Sequence, residues 1–596
     1  MKNLGIFSVF AILSLVLAGC PASSPVLSFV PEDAVAVVQI KNPAEFLLQS
    51  EKLAQGLLGQ GQANPAQVLK EWEQKSLFPI SELDLSQPAG AAVLSLPQDH
   101  KPLQAVFFFA LKDPDKNYPK VLAFLRKNQE KNKGLKSLLK GNYVVLFTGF
   151  DQLPVFPVAH PFDLNNLKTP IADGVDAYVN LKTLEKDLLP QGETWAKLTQ
   201  QAVHSVESQP TGGPGMGVFV EKLFNYVGAI DGLTFSVGLG DQGVALWGRT
   251  HLTPGSKYLK LAQNFEVKGS RKFWKYQDAQ ALASMSWNLP PEMMRTLGSS
   301  LDAALFKAMG VSDGTLHEYL GAQKDLLKAA GPRGALNLDL ELNPEALRQA
   351  ISVNPPNLKE LVNAFNVRIT GVQETTDGEA YKKALRNFYS SSVLPDLMAD
   401  LGRDRKNKVN FGVRMAEDLK ESGLVYDRAQ IWARLGNPSS SPVTEKINQF
   451  ISEILDNLPF YLHYSPTRVY FTTGKEGLAD LDSLVQHDAV LHNWAESPVV
   501  AGWGSLLPDN SLFEGGVSLN KILKEVKGAG MPEFADIPEV EPYPDLIDEL
   551  SSTPSGNWET ATLLSLSGDK PIINFLSHKL AAAKAPQIQE APSATP

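Results

Sequence analysis

The sequence predicts an α+β fold of two large units, each a mostly antiparallel sheet with packed helices, which could be repeats of each other. Three observations lead to this prediction. A strand followed directly by a helix recurs five times along the 596 residues. Hairpin-like pairs of strands lie between these passages and favour antiparallel over parallel pairing. Hydrophobic residues make up 43% of the chain, which is typical of a globular protein rather than a disordered one.

The first strand–helix opening starts at Pro31. Residues Val35 to Ile40 are rich in valine and predict a strand. Asn42 then stands as a helix N-cap, Pro43 occupies the first helical position and Glu45 the third. We therefore expect a helix to begin where the strand ends.

Four further passages repeat this order, and they start at Val175, Ala279, Ala335 and Leu507. The candidate helix cap is Thr183 in the first of these four and Asn343 in the third. Five openings of one kind predict degenerate strand–helix units. Duplication and a common local solution both explain such a pattern.

Three hairpin-like pairs of strands are predicted between the openings. They are Leu103–Leu111 with Tyr143–Thr148, Leu233–Leu239 with Val244–Thr250, and Tyr461–Tyr464 with Arg468–Thr473. The first pair brackets a predicted helix from Lys120 to Leu139. In the second half, Phe411–Arg414 and Ile431–Leu435 predict strands and Val443–Leu458 predicts a helix.

The N-terminus has the pattern of a secretory signal. Lys2 supplies positive charge, Leu4 to Leu17 is apolar apart from two serines, and small residues precede Cys20. Leu17-Ala18-Gly19-Cys20 resembles the lipobox of bacterial lipoproteins. The resemblance implies cleavage between Gly19 and Cys20 and acylation, such as palmitoylation, of Cys20. The alternatives are an ordinary signal peptide with a chance cysteine, or a short uncleaved anchor.

The lipobox resemblance also implies a location. Pro21 stands where an aspartate commonly retains Gram-negative lipoproteins at the inner membrane, so an outer-membrane destination is expected, facing either the periplasm or the cell surface. Cys20 is the only cysteine, so the processed chain has no thiol for a disulfide, metal or catalysis. The net charge of −10 disfavours nucleic acid as a partner. The expected partners are a membrane through the lipid anchor, and a protein or apolar ligand.

These features divide the chain into six segments. They are the signal peptide 1–19, the lipidated cysteine and tether 20–26, a first α+β unit 27–270, a second α+β unit 271–500, a C-terminal strand–helix segment 501–580 that could be a truncated repeat, and a disordered tail 581–596 rich in Ala, Pro, Gln and Ser.

The body is also similar to an uncharacterised family of bacterial envelope proteins. Its domains open with a Pro-acid-Ala turn into a strand, as at Pro31. They continue with a Tyr-Val-Val strand, as at Tyr143, and an Asp-Gly-Leu hairpin, as at Asp231. The resemblance spans 27–270 and, more weakly, 275–490, and it implies no established activity.

Metal-binding patterns are weak. His487 and His492 are the closest histidines, but five residues on a helix place their imidazoles about 140° apart. Asp113 to Asn117 hints at a calcium loop, yet Tyr118 stands where a glycine is needed and Phe124 where an acid is needed. We expect no metal and no cofactor.

Catalytic patterns are equally incomplete. Ser505 follows two glycines without forming Gly-x-Ser-x-Gly. The glycine-dense loop Gly212–Gly217 lacks the Walker lysine. The acidic stretch from Asp536 to Glu549, broken by prolines, predicts an extended, solvated segment. The sequence thus predicts a protein that is not an enzyme.

One segment stands out as a candidate apolar lip. Residues 153–162 carry Val155, Phe156 and Phe162 among three prolines, which exclude a central strand. The alternative is a loop packed over the core.

The leading functional hypothesis is a non-enzymatic scaffold or interaction lipoprotein of the cell envelope. A carrier of lipid or another apolar ligand is the alternative, and a hydrolase with dispersed catalytic residues is the second alternative.

Overall fold

The computed structural model describes residues 29–565 with gaps. The gaps are 32–33, 59–79, 96–102, 128–133, 151–170, 172, 189–194, 208–220, 222–224, 241–242, 265–266, 268, 291–302, 304–305, 308–310, 353–359, 361–363, 402–407, 437–447, 449–451, 453–454, 456–457, 498–499, 501–509, 529–545 and 553–557.

In these described ranges, eighteen strands form one antiparallel sheet. They are β1 (Ala36–Ile40), β2 (Ala89–Ser95), β3 (Gln104–Ala110), β4 (Lys136–Lys140), β5 (Tyr143–Thr148), β6 (Gly174–Asn180), β7 (Ile230–Gly240), β8 (Gly243–Leu252), β9 (Ala283–Asn288), β10 (Ala330–Leu342), β11 (Phe365–Thr375), β12 (Lys408–Glu421), β13 (Leu424–Gly436), β14 (Phe460–Tyr464), β15 (Arg468–Thr473), β16 (Ser511–Val517), β17 (Leu546–Ser552) and β18 (Trp558–Ser565).

The strand pairings give one linear order across the sheet, β4-β5-β3-β2-β1-β6-β7-β8-β18-β17-β16-β9-β10-β11-β15-β14-β13-β12. The three C-terminal strands β16–β18 lie in the middle. They pair with β8 of the first predicted unit on one side and with β9 of the second on the other. One ladder therefore runs through both halves of the chain.

The α-helices in the described part are α1 (Pro43–Leu58), α2 (Pro114–Lys127), α3 (Leu181–Leu188), α4 (Trp195–Glu207), α5 (Lys257–Gln263), α6 (Asp313–Ala329), α7 (Pro344–Ile351), α8 (Gly378–Ser390), α9 (Val393–Leu401), α10 (Gly477–His487) and α11 (Leu519–Gly528). Short 3₁₀ segments occur at Ile80–Glu82, Ser270–Tyr276 and Trp494–Glu496. The predicted α+β class with a mostly antiparallel sheet is confirmed.

Four of the five strand–helix openings are confirmed as β1–α1, β6–α3, β10–α7 and β16–α11. In each, a polar residue at or just after the end of the strand caps the helix, because its side chain accepts the N–H of the third residue beyond it. The capping residues are Asn42, Asn180, Asn343 and Ser518. This bond satisfies one of the orphan N–H groups of the first helical turn. At the Ala279 opening the strand β9 is confirmed, and residues 291–302 lie outside the described part.

Two local predictions were wrong. The cap of α3 is Asn180 rather than Thr183, whose N–H donates to the Asn180 side chain over 3.0 Å. The helix predicted from Lys120 to Leu139 ends at Lys127, and Lys136–Lys140 forms β4 instead. Gly134 has φ 87°, a left-handed conformation that a continuing helix does not allow.

The three predicted hairpins and the strands at Phe411–Arg414 and Ile431–Leu435 are confirmed within β3, β5, β7, β8 and β12–β15. The helix predicted at Val443–Leu458 falls almost wholly outside the described residues. The lipobox and the tail 581–596 also lie outside them.

The two faces of the sheet differ in what covers them. The core face carries Val37, Phe108, Trp247, Leu563 and Ala335. Against it pack Phe29, the two later 3₁₀ segments and α10, whose covering residues include Trp274, Trp494 and Leu481. The opposite side of the strands is called the outer face.

The outer face is helix-covered at both ends of the sheet. Phe46 of α1 and Val121 of α2 pack over β1–β5. Leu326 of α6 and Tyr381 and Leu385 of α8 pack over β12–β15. Between these two covers lies the central part of the outer face, from β7 to β11.

Candidate binding surface

Strand β10 presents apolar side chains outward and polar side chains inward. Asn337 and Asp339 are 3% and 5% exposed, whereas Leu338 between them is 37% exposed. The hydrophobic effect favours the reverse, because burying a leucine contributes about 1.5–3 kcal/mol and burying an unpaired polar group costs free energy. The alternation of β10 is inverted relative to an ordinary half-buried strand.

The same inversion continues in the neighbouring strands. Phe235 of β7 and Phe513 of β16 are exposed, while the adjacent Ser236 and Glu514 are buried. The buried polar side chains on the core face include Asp176, Thr234, Ser236, Ser284, Ser286, Asn337, Asp339 and Glu514. The inversion is a property of the central sheet and not of one strand.

Hydrogen bonds make these buried polar groups tolerable. The Asn337 side-chain oxygen accepts from the Asp278 N–H at 2.8 Å and the Ser284 hydroxyl at 2.9 Å. Its amide nitrogen donates to the Tyr276 carbonyl at 2.8 Å and the Thr370 hydroxyl at 3.1 Å. Four bonds to four residues offset the desolvation of one amide and fix the end of the 3₁₀ segment on the sheet.

Buried carboxylates on the core face are also paired. Asp176 lies 2.8 Å from the Lys41 ammonium and accepts from the Ser236 hydroxyl at 2.6 Å. Glu514 accepts from the Trp274 indole N–H at 2.5 Å. Burial raises the pKa of Glu514 above its ordinary value, although the hydrogen bond from Trp274 acts in the opposite direction.

The outward side chains align into one continuous row across eight neighbouring strands, which we call the apolar band. The register of each strand pair places the two members of the row opposite each other. All eight members are apolar. The row is Leu239, Val244, Leu564, Leu546, Val517, Ala283, Leu338 and Ile369. Each of them is half-buried or exposed, and Leu239 at one end packs against the cluster that contains Phe46 and Val121.

Two parallel rows on the same face widen the band. One row contributes Val237, Leu246, Met285 and Leu336. The other contributes Phe235, Leu550, Phe513 and Trp287. Phe235 and Leu246 are 45% and 44% exposed. Asp548 lies in the same row as Leu246. In the described strands it is the only charged residue of the three rows.

The size of the band follows from strand geometry. Seven strand spacings of about 4.8 Å give a length of about 34 Å, and four residues of about 3.4 Å give a width of about 14 Å. This rectangle, on the order of 500 Å², also encloses Thr560, Thr562 and Asp548. Its area is within the range of the largest apolar patch on a typical monomer, and such patches are often functional.

The closest approach to a catalytic arrangement lies at Asp278, on the core face. Burial raises the pKa of Asp278, and Asp339 adds to this effect, whereas Arg368 and His492 oppose it. Asp339 is engaged by Arg368 at 3.2 Å and Lys521 at 3.3 Å. Among the described residues no hydrogen bond or ion pair joins His492 to either carboxylate. The two acids and the histidine therefore do not form a linked proton-transfer chain there.

The other residues singled out in the sequence are dispersed. Asp113 is the turn before α2, and its carbonyl accepts from the Asn117 N–H. His487 ends α10 and bonds the Ser483 carbonyl, while His492 lies in the exposed turn beyond it. Within the described ranges no group of three or more acidic or histidine side chains is placed to hold a metal ion.

The predicted lipidation site and lip cannot be located in the structure. Gly19, Cys20, Val155, Phe156, Phe162, Ser505 and the loop Gly212–Gly217 fall outside the described residues. Part of the acidic stretch is described: Asp548 and Glu549 belong to β17. The band was not among the sequence predictions.

Comparison with known proteins adds no relative. No protein-family model, curated protein or solved structure matches the chain. Of the helices that the structure describes, none combines the length and the hydropathy that crossing a bilayer would require.

Proposed function

We propose that this chain is a non-enzymatic, lipid-anchored interaction protein of the bacterial envelope, and that its apolar band binds the hydrocarbon chains of a lipid. The observation that carries the proposal is the inverted alternation, which places leucine and phenylalanine outside and asparagine, aspartate and glutamate inside. Contact with hydrocarbon would remove the exposed apolar area from water and would require no hydrogen bonds.

The backbone of the band supports a hydrocarbon ligand more than a polar one. All eight strands of the band are paired on both sides, so their N–H and C=O groups are used in the ladders. A ligand on this face therefore meets side chains alone. Acylated Cys20, as the lipobox resemblance implies, would hold the band close to a source of lipid, in the outer membrane and facing the periplasm or the cell surface.

Native mass spectrometry of detergent-free protein tests this proposal. The protein is secreted with Cys20→Ala, so that no covalent acyl chain confuses the masses. We expect non-covalent adducts with the masses of envelope phospholipids or fatty acids. The double variant Leu246→Asp/Leu338→Asp places two charges in the band and should lose them.

A matched control separates band chemistry from added charge. Lys383→Gln and Lys524→Gln lower the net charge by the same two units at exposed positions of α8 and α11, and should keep the adducts. Adduct-free wild-type protein would contradict lipid binding. Recovery of one stoichiometric protein partner that the band variant loses would instead favour the scaffold hypothesis.

A further inference from the structure

A cationic cavity of about 340 Å³ lies between the 3₁₀ segment Ser270–Tyr276 and the strands β10, β11 and β15. It is on the core-face side of the sheet, because Phe273 and Tyr276 pack there against Ala335 and Val372. Its lining residues are Lys272, Phe273, Lys275, Tyr276, Arg333, Glu374 and Arg468. The cavity is thus separate from the apolar band.

The cations of this cavity outnumber the anions that reach them. Arg333 forms a two-bond pair with Glu374 at 2.9 and 3.1 Å. Lys275 and Arg468 both contact the single carboxylate of Asp488, at 2.6 and 2.5 Å. Lys272 makes no ion pair with any described residue. Four cations and two carboxylates leave a formal charge of +2.

Asp488, which contacts the lining residues Lys275 and Arg468, is held in its ionised form. Burial alone would raise its pKa, but hydrogen bonds from Lys275, Tyr276, Tyr470 and Arg468 outweigh burial and bring that pKa below its ordinary value. It therefore does not gain a proton near neutral pH.

Hydrogen-bond donors remain available beside this charge. Arg333 uses Nε and Nη2 on Glu374, and Arg468 uses Nη1 on Asp488 and Tyr470. Within the described part of the chain, nothing accepts from Arg333 Nη1, Arg468 Nη2 or the Lys272 ammonium.

Aromatic rings hold the two guanidinium groups without neutralising them. Arg333 lies 5.6 Å from the centre of the Phe273 ring, and Arg468 lies 5.7 Å from that of Tyr276. Such contacts orient a planar cation while leaving its edge donors free for an anion.

We propose that this cavity binds a phosphate-bearing anion, either a lipid headgroup or a soluble phosphoester. A phosphomonoester supplies about two negative charges and a phosphodiester one, each with several acceptor oxygens, so both fit the excess of positive charge and the unused donors. The cavity volume leaves room for a group attached to the phosphate. The proposal stands independently of the apolar band.

Isothermal titration tests it with inorganic phosphate, glycerol 3-phosphate and short-chain dihexanoyl phosphatidylglycerol at fixed ionic strength. We expect saturable binding that weakens as salt rises, and weakens about fivefold in Lys272→Gln, which removes one partly solvated charge contact. Lys272 makes no ion pair with the residues that the structure describes, so this variant should stay folded. Arg468→Lys keeps the charge, loses the planar fork and should also bind more weakly.

The matched control is Lys524→Gln, which removes an equal charge from the exposed face of α11. It should bind like the wild type. Tighter binding of glycerol 3-phosphate than of phosphatidylglycerol would assign soluble phosphoesters, and tighter binding of phosphatidylglycerol would assign lipid headgroups. No saturable binding of any probe, or equal losses in Lys272→Gln and Lys524→Gln, would overturn the proposal.

Discussion

The inverted alternation makes a direct prediction for two adjacent residues of β10, Asn337 and Leu338. In an ordinary amphipathic strand the leucine would be the costly residue to truncate. Here Asn337→Ala should be the more destabilising change. It removes four buried hydrogen bonds at about 1 kcal/mol each, and it leaves partners such as the Asp278 N–H without an acceptor. We expect a loss of about 3 kcal/mol or more.

Leu338→Ala should cost far less. The truncation removes the equivalent of about three methylene groups at about 0.8 kcal/mol each, and a side chain that is already 37% exposed leaves no closed cavity. The expected loss is about 1.5 kcal/mol at most. Urea unfolding followed by tryptophan fluorescence gives both values. Leu563→Ala, a truncation at 1% exposure on the core face, serves as the calibration and should cost about 2–5 kcal/mol. A larger loss for Leu338→Ala than for Asn337→Ala would refute the assignment of the two faces.

Three further predictions concern stability. Asp427→Asn should cost about 2–3 kcal/mol in urea unfolding, since Asp427 is 1% exposed and pairs through two bonds with Arg386; a cost no larger than that of the exposed Asp325→Asn would contradict it. Because the folded-state pKa of Glu514 is raised above its ordinary 4.5, folded protein binds the proton more tightly, so the wild type should lose stability as pH rises from 4.5 toward neutrality. Glu514→Gln should lack that loss, and thermal melts of the two proteins that stay parallel from pH 4 to 7 would argue against it. Asn343→Ala should lower stability by about 1 kcal/mol through loss of the α7 cap, and Asn343→Asp should restore it.

The strand–helix openings were predictable because their signals are local. Asn42 and Asn343 each precede a proline, so two adjacent residues identify both the cap and the first helical position. The cap of α3 was misassigned because Asn180 ends a strand and carries no following proline. The helix after Lys120 was extended too far because the pattern of leucines continues through β4, and the break at Gly134 depends on one backbone conformation.

The order of strands was not predictable in the same way. Thr250 and Trp558 lie opposite each other across β8 and β18, although some three hundred residues separate them in the chain. Such pairings depend on which edges remain free after local hairpins form, and local periodicity carries no information about them.

The band escaped prediction for a different reason. Strict alternation in β10 identifies two faces but does not say which one is inward, and a one-residue change of register exchanges them. The usual assumption places Leu338 inside. Here the polar partners supplied by the segment around Tyr276 and Asp278, which precedes Asn337 by some sixty residues, make the inverted choice stable.

The most direct test of the central claim is the environment of a spin label on the band. The chain has one cysteine, so Cys20→Ala provides a background in which Leu246→Cys can be labelled alone. On addition of oleic acid below its micelle concentration, we expect the label to collide less often with a water-soluble nickel reagent and more often with oxygen. A label at Lys383→Cys on α8 should show no change in either collision rate. Unchanged collision rates at Leu246 in saturating oleic acid would contradict the claim that this face receives hydrocarbon.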